Sequence, residues 1–176
     1  MNTVENQVSQ AFTIDAAHTT VGLVARHMMI AKVRGRFSGV SGTISIPAGS
    51  DVPDAVDVTV DATSIDTREP QRDDHLRSAD FLDVTTHPQL TFRSNRITGP
   101  ASAFQIHGDL TIRGTTRPVV LDATFEGRIN DPWGNSRAGF EAHAKISRKD
   151  FGLVWNQVLE AGGVAVGDEE IGRAHV

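Results

Sequence analysis

Polar and apolar residues alternate with a period of two along several stretches of this chain. The clearest stretch is 137–147, and its apolar face consists of Ala138, Phe140, Ala142, Ala144 and Ile146. Similar alternation covers 56–62, 104–112 and 119–129. This period is typical of β-strands that bury one face and expose the other. The chain is therefore expected to form an antiparallel sheet whose apolar face is covered.

Several residues on these apolar faces are alanine or glycine, and such small residues suggest a hollow interior. Protein interiors pack to a density of about 0.74, so small residues need compensation from larger neighbours or from a bound molecule. The chain contains 8 phenylalanines that could fill the space. A packed core and a ligand-filled core both stay open at this point.

The same pattern predicts eight to ten strands. They begin near Phe12, continue through Val21, Leu23 and Ala25, and then cover 37–46, 56–65, 89–97, 102–113, 117–130, 136–148 and about 170 to the end. The alternation is lost at 27–33, which suggests a short helical turn, and Gly162-Gly163 is expected to start a last hairpin. Even spacing of short strands is typical of a barrel or a sandwich. In a closed barrel of about eight strands, the last strand would pair with the first, and Val176 would lie beside the early strands.

One charged segment, 66–83, interrupts the strands. The pattern predicts a short helix that Thr67 caps and that has Pro70 in its first turn. Its buried anchors are expected to be Leu76, Ala79 and Phe81.

Carboxylates and a histidine within this segment raise the question of catalysis or metal binding. Asp73, Asp74 and His75 have the side chains for acid–base work or for holding a metal ion. Because the three are consecutive, a helix would point them in different directions. A charged helix surface with an Asp73–Arg77 pair is the favoured interpretation, and a polar rim around a ligand mouth and a metal site are the alternatives.

Composition narrows the range of functions. The chain has 176 residues, enough for one domain with its own core, and 39% hydrophobic and 22% charged residues, as in ordinary soluble globular proteins. Its net charge of −5 argues against a nucleic-acid backbone as the main partner, and the absence of cysteine excludes disulfides and thiolate metal sites. No phosphate-binding loop and no nucleophile elbow occur, and no run of 18 apolar residues could span a membrane.

The N-terminal residues 1–11 have neither a basic start nor an apolar core, so they do not resemble a secretory signal. We expect them to form a disordered tail, and we expect a single domain over 12–176 in a cytoplasmic protein.

Several motifs together resemble the YceI-like, polyisoprenoid-binding family. Residues 14–19 (IDAAHT) resemble its I-D-x-x-H-[ST] element, and 64–67 (SIDT) resemble its S-I-D-T turn. Residues 72–81 (RDDHLRSADF) match R-D-x-H-L-[RK]-S-x-D-F, and 108–114 (GDLTIRG) resemble G-x-L-T-I-[RK]-G. Each motif is weak alone, but they occur in the family's order from about residue 12 to about 176.

The resemblance implies an all-β fold, a lipocalin-like antiparallel β-barrel of about eight strands with one or two short helices. It also implies that the barrel binds, stores or transports a long-chain isoprenoid lipid of polyprenyl or isoprenoid-quinone type. On this interpretation the protein is not an enzyme and has no cofactor, and segment 66–83 is part of the fold. Two alternatives remain: a structural or stress-related barrel with a packed core and a protein partner, and an enzyme that acts on a bound lipid through Asp73, Asp74 and His75. A homodimer is a further hypothesis.

The apolar faces supply the candidates for a cavity wall. These candidates are Val58, Val60, Phe92, Phe104, Ile106, Leu110, Leu121, Phe125, Phe140, Ala142 and Ala144. An anionic lipid headgroup would be expected to meet basic side chains at the mouth, and the candidates for this contact are Arg72, His75 and Arg77.

Overall fold

The computed structural model describes residues 8–27, 31–155 and 166–175. Eleven strands in this part of the chain form one antiparallel sheet. The strands are β1 (Ser9–Thr13), β2 (Thr20–His27), β3 (Ala31–Phe37), β4 (Val40–Pro47), β5 (Ala55–Asp61), β6 (Ile65–Asp66), β7 (Gln89–Thr98), β8 (Phe104–Ile112), β9 (Thr115–Asn130), β10 (Ser136–Ser147) and β11 (Val166–His175). One α-helix, α1 (Pro70–Arg77), and two short 3-10 helices (Ala62–Ser64 and Arg148–Phe151) complete the described elements. The predicted all-β class is confirmed.

The sheet curls around one apolar interior. Its strand order is β1-β4-β5-β7-β8-β9-β10-β11-β2-β3-β6, with antiparallel pairing throughout. The last strand was expected to pair with the first, but β11 pairs with β2 and β1 pairs with β4. Residues 14–19 lead from β1, at one edge of the sheet, to β2 in its interior, so the neighbour of the last strand is the second strand and not the first. The expected place of Val176 lies outside the described residues.

Two further predictions fall wholly or partly outside the described residues, and a third differs from the structure. The helical turn at 27–33 falls partly on residues 28–30, which lie outside the described residues, while His27 and Ala31 pair across β2 and β3. The hairpin at Gly162-Gly163 also lies outside. Strand β1 begins at Ser9, so residues 9–11 belong to the sheet and not to the expected tail.

The inward faces of the strands form the core. Its most deeply buried apolar side chains include Phe104, Phe151 and Ile46. Gly108 has a specific role in this packing, because a Cβ at that position would lie 2.5 Å from the Phe92 ring and 2.5 Å from the Arg93 carbonyl oxygen. The absence of a side chain at Gly108 therefore lets the Phe92 ring cross the neighbouring strand.

Helix α1 differs from its predicted details at both ends. Its N-cap is Glu69, whose carboxylate accepts a hydrogen bond from the Gln71 amide, and Pro70 occupies the first turn as expected. The predicted cap, Thr67, instead donates its amide and hydroxyl to buried Asp73. Ala79 is exposed because it follows the last helical turn, whereas Phe81 is buried and Leu76 packs against the core. None of the helices in the described part of the chain combines the length and hydropathy of a membrane-spanning helix.

Candidate ligand-binding site

The interior of the curled sheet holds a cavity of about 230 Å³. Among the described residues that line it, only Thr91 and His143 have polar side chains. The lining consists of Val21, Gly22, Leu23, Phe37, Ile44, Pro53, Val56, Val58, Val60, Leu82, Leu90, Thr91, Phe92, Phe104, Ile106, Leu110, Ile112, Leu121, Ala123, Phe140, Ala142, His143, Ala144, Ile146 and Leu153. Such a surface gives hydrogen-bonding ligands few partners and favours an apolar occupant.

The residues that line the cavity extend along the strands. Its lining includes Phe104 and Ile112, the two ends of β8. Eight residue steps at about 3.3 Å each place these positions roughly 26 Å apart. Leu82 and Leu153 lie at the α1 end, whereas Pro53 lies in the loop between β4 and β5 at the other end. The lining therefore offers apolar contacts from one end of β8 to the other.

Small residues on neighbouring strands help to leave this space open. Ala142 of β10 lies directly opposite Ala123 of β9, and both line the cavity. Two alanines side by side leave room that a larger pair would fill. At the loop end, Phe140 packs edge-on against Phe104, with ring centroids 6.2 Å apart.

Ten of the eleven candidates for the wall border the cavity, and their contact with a ligand stays a prediction. The exception is Phe125, whose ring packs against Phe140 with centroids 5.5 Å apart. A register shift between Gly139 and Phe140 accompanies this arrangement, because it places Phe140 directly opposite Phe125. The alternation alone contains no signal for such a bulge.

Other lining residues were missed. Val56 and Ile112 belong to alternating stretches that the pattern had identified, and Val21 and Leu23 lie on a predicted strand. These positions could have been found by extending each apolar face to its end. A second group lies in loops without periodicity, where no sequence signal points inward, and it consists of Pro53, Leu82 and Leu153.

Two of the three candidates for headgroup binding hold helix α1 in place. Arg72 donates from Nε to Thr67 Oγ1 at 2.7 Å and from Nη2 to the Thr67 carbonyl at 2.8 Å. Arg77 donates from Nε to the Thr63 carbonyl at 2.9 Å and from Nη2 to the Ile65 carbonyl at 2.8 Å. These bonds join the helix to residues 63–67, which include β6. Neither arginine borders the cavity.

His75, the third candidate, also has local partners. Its Nε2 lies 2.9 Å from Asp80 Oδ2, and its ring lies edge-on to Phe81 and Trp155 at centroid distances of 5.0 and 4.5 Å. His75 does not border the cavity either. The headgroup role of these three residues stays a prediction, and the geometry gives it no support.

The carboxylates next to His75 diverge, as the consecutive positions predict. Asp73 is buried against Thr67, whereas the Asp74 side chain is 82% exposed and lies 3.3 Å from Arg77 Nη1. The predicted Asp73–Arg77 pair is therefore wrong, because Asp73 turns inward to bind Thr67. Among the described residues, no three metal-ligating side chains come together.

Charged groups at the loop end of the cavity form a separate network. Asp15 Oδ2 lies 2.7 Å from His18 Nδ1 and accepts a hydrogen bond from Arg137 Nη1, also at 2.7 Å. The hydrogen bonds from His18 and then from Arg137 lower the pKa of Asp15 to about 2. Hydrogen bonds from Asn135 lower the pKa of Asp131 to about 2 as well. This network joins the β9–β10 hairpin to the segment between β1 and β2.

Known proteins resemble this chain in sequence and in fold. The sequence profile of the YceI-like domain matches residues 12–170 of this chain. Protein YceI of Shigella flexneri is 42% identical over 139 residues, which cover 79% of this chain and 73% of that protein. The crystal structure of BcnA from Burkholderia cenocepacia matches with a TM-score of 0.78 at 22% identity, covering 92% of this chain and 97% of that one.

A third match is the structure of a polyisoprenoid-binding domain from Saccharophagus degradans that is implicated in plant cell wall breakdown. Its TM-score is 0.63 at 14% identity, and the match covers 93% of this chain and 95% of that domain. At these identities the two solved structures support the fold alone. The profile and the Shigella flexneri protein support the family.

Proposed function

This chain belongs to the YceI-like family, and we propose that it binds a long-chain isoprenoid lipid inside the curled sheet. The observation that carries the proposal is the cavity of about 230 Å³, whose almost wholly apolar lining extends from one end of β8 to the other. In this proposal the protein is a carrier or store and catalyses no reaction. The choice of ligand class follows from what membership of the YceI-like family implies, and it agrees with the description of one domain of the same fold as polyisoprenoid-binding.

The energetics of an apolar chain in such a cavity are favourable. Each buried CH2 group contributes about 0.8 kcal/mol, so one five-carbon isoprene unit contributes about 4 kcal/mol. Three units would contribute about 12 kcal/mol, from which association subtracts at least about 4 kcal/mol. At most about 8 kcal/mol then remains, which corresponds to a Kd of about 1 µM or weaker.

The size of the cavity guides the choice of test ligand. Small-molecule sites commonly have volumes of about 300–1,000 Å³, and the cavity of about 230 Å³ lies just below that range. A chain of three isoprene units is therefore a better first probe than a full-length polyprenyl lipid. Farnesene, a hydrocarbon of this length, contains no polar group and tests the apolar wall alone.

The two alternative functions have weaker support. A structural barrel with a packed core requires a filled interior, and the cavity argues against it. An enzyme that uses Asp73, Asp74 and His75 requires these side chains to converge on the lipid, but they diverge and none borders the cavity. A homodimer and a cytoplasmic location stay predictions.

A fluorescence titration tests the proposal. The uncharged probe phenylnaphthylamine emits strongly in apolar surroundings, so its emission should rise on addition of the folded protein and saturate at one probe per chain. Farnesene should then displace it. The heat-unfolded protein is the control for non-specific binding. If neither phenylnaphthylamine nor farnesene binds the folded protein, the proposal is wrong.

A further inference from the structure

The outer part of the β9–β10 hairpin, residues 126–138, projects beyond the strands on both sides of it. The pairing of β9 with β8 ends at Ala123, and the described pairing of β10 with β11 extends only to Glu141. In the part of the chain that the structure describes, the backbone of 126–138 forms hydrogen bonds only within the hairpin. These residues, which we call the arm, are therefore held to the rest of the protein by side chains.

The arm crosses the loop end of the curled sheet. Arg128 Nη2 donates to the carbonyl of Ser50, in the loop between β4 and β5, at 3.2 Å, and its guanidinium lies 5.7 Å from the centre of the Phe12 ring on β1. Strand β9 is five strands away from β1 in the sheet, which at about 4.8 Å per strand is roughly 24 Å. Arg128 approaches Phe12 so closely because the arm passes across the inside of the curl. The β4–β5 loop also contributes Pro53 to the cavity lining, so the arm lies over this end of the cavity.

Two glycines lie at the base of the arm. Gly127 and Gly139 are directly opposite each other, and the register shifts between Gly139 and Phe140. Gly127 has a φ of +128°, a conformation that other residues rarely adopt, and a Cβ at this position would meet nothing within 4 Å. Paired glycines next to a bulge allow the two strands to bend with little packing to oppose it. The base of the arm therefore has the features of a hinge.

Exposed ion pairs hold the arm against the loops beneath it. Arg128 Nη2 lies 3.5 Å from Asp51 Oδ1, and Arg137 Nη1 donates to Asp15 Oδ2 at 2.7 Å. The Arg128 side chain is 35% exposed and that of Arg137 is 44% exposed. Ion pairs with this much exposure contribute little to stability, because water competes for both partners. Lifting the arm therefore breaks contacts that water can largely replace.

The opposite end of the cavity is held by a buried side chain. Arg148 is only 1% exposed and donates to the carbonyl of Leu153, which lines the cavity there. Arg113 Nη1 donates to the carbonyl of Phe81 at 3.0 Å, next to the lining residue Leu82. Separating a buried charge from its partners is strongly unfavourable. Opening is consequently easier at the loop end than at the α1 end.

From these observations we infer that the arm is a movable cover, hinged at Gly127 and Gly139, and that the ligand enters and leaves the cavity beneath it. The inference rests on the proposed function and adds to it the route of the ligand and the motion that limits its exchange. No residue of the arm lines the cavity. The arm therefore controls how fast the ligand exchanges and not how tightly it binds.

Cross-linking the arm in its closed position tests the inference. The chain contains no cysteine, so a short bismaleimide reacts at introduced cysteines. In Asp51→Cys/Arg128→Cys, the cross-link replaces the ion pair between the arm and the β4–β5 loop. The protein is loaded with phenylnaphthylamine, cross-linked, and mixed with excess farnesene. It should release the probe at least about tenfold more slowly than the same variant without cross-linker, and its Kd should stay within about twofold.

The matched control carries the same cross-link away from the ends of the cavity. Asp57→Cys/Arg93→Cys replaces an exposed ion pair of 3.3 Å between the neighbouring strands β5 and β7. This cross-link should leave the release rate unchanged. A release rate that the arm cross-link does not alter, or that both cross-links slow equally, would overturn the inference.

A single substitution keeps the test decisive if the cysteine variant folds poorly. Arg128→Ala removes the contacts of the arm with Asp51, Ser50 and Phe12. Both the association rate and the release rate of phenylnaphthylamine should rise about tenfold, the usual effect of one lost charged hydrogen bond on an equilibrium between closed and open states. Arg93→Ala, which removes the control ion pair, should change neither rate. Wild-type rates in Arg128→Ala would count against the cover as well.

The outcomes distinguish this inference from the proposed function. If the wild-type protein binds neither phenylnaphthylamine nor farnesene, the proposed function itself is wrong. If both bind and their exchange does not depend on the arm, the proposed function stands and the ligand enters the cavity by another route.

Discussion

Filling the cavity from its wall should expel the ligand without unfolding the protein. Ala142 lines the cavity from β10 and faces a second alanine, Ala123, on β9. The substitution Ala142→Phe adds a phenyl ring of six carbon atoms at this point, and the cavity volume is about 230 Å³. The new ring would therefore occupy space that at least one isoprene unit of the ligand needs.

The expected loss follows from the displaced surface. One isoprene unit contributes about 4 kcal/mol when buried, and about 1.4 kcal/mol corresponds to a tenfold change in Kd. Ala142→Phe should accordingly weaken farnesene binding by up to about 1,000-fold. Ala144→Phe, two residues along the same face, should have an effect of the same kind.

Stability distinguishes a cavity from a packed core. Enlarging a side chain in a well-packed core costs about 1–3 kcal/mol, whereas filling an empty space commonly stabilises a protein by about 0.5–2 kcal/mol. The ligand-free Ala142→Phe variant should therefore unfold at the same or a higher urea concentration than the wild type.

The control places the same ring on the outside of the sheet. Val120 of β9 is 42% exposed, so Val120→Phe adds a similar apolar surface away from the cavity. It should leave the Kd for farnesene within about twofold of the wild-type value. Unchanged farnesene binding in both alanine variants, or a loss of stability of several kcal/mol without ligand, would refute the assignment of the wall.

Three further predictions concern the polar contacts. Arg77→Ala removes two hydrogen bonds to backbone carbonyls, so it should lower the free energy of unfolding in urea by about 2 kcal/mol without changing the Kd for farnesene. A selective loss of farnesyl diphosphate binding at unchanged stability would instead indicate that Arg77 binds a lipid headgroup. Asp73→Ala leaves the Thr67 amide and hydroxyl buried without their acceptor and should destabilise the protein by about 2–3 kcal/mol in the same assay, so an unchanged urea midpoint would contradict the contact. The pKa of Asp15 is about 2 in the folded protein, and its ordinary value is 3.8, so its contacts stabilise the fold above pH 3.8 and are lost as the pH falls through about 2. The difference in urea midpoint between wild type and Asp15→Asn should be constant from pH 7 to 4 and vanish near pH 2. A pH-independent difference would show that the ionised Asp15 carboxylate is not its cause.

The strands and their faces could be predicted because their physical cause is local. A strand with one wet face and one dry face must alternate, so the inward positions of β8, β9 and β10 can be identified from residue type alone. The wall candidates Phe104, Leu121 and Ala144 came from this pattern, and the structure places them at the cavity.

Features that depend on distant partners could not be predicted. Thr67 has the side chain of a helix cap, but the buried carboxylate of Asp73 binds it instead, and Glu69 caps the helix. The inward position of Leu153 depends on a loop without periodicity.

Native mass spectrometry of the purified protein, followed by organic extraction, tests lipid binding most directly. A lipid-binding protein should give a species whose mass exceeds that of the 19.0 kDa chain by one lipid molecule, and the extract should contain an isoprenoid. A protein that is empty as purified and stays empty when farnesol or farnesene is added would contradict the central claim.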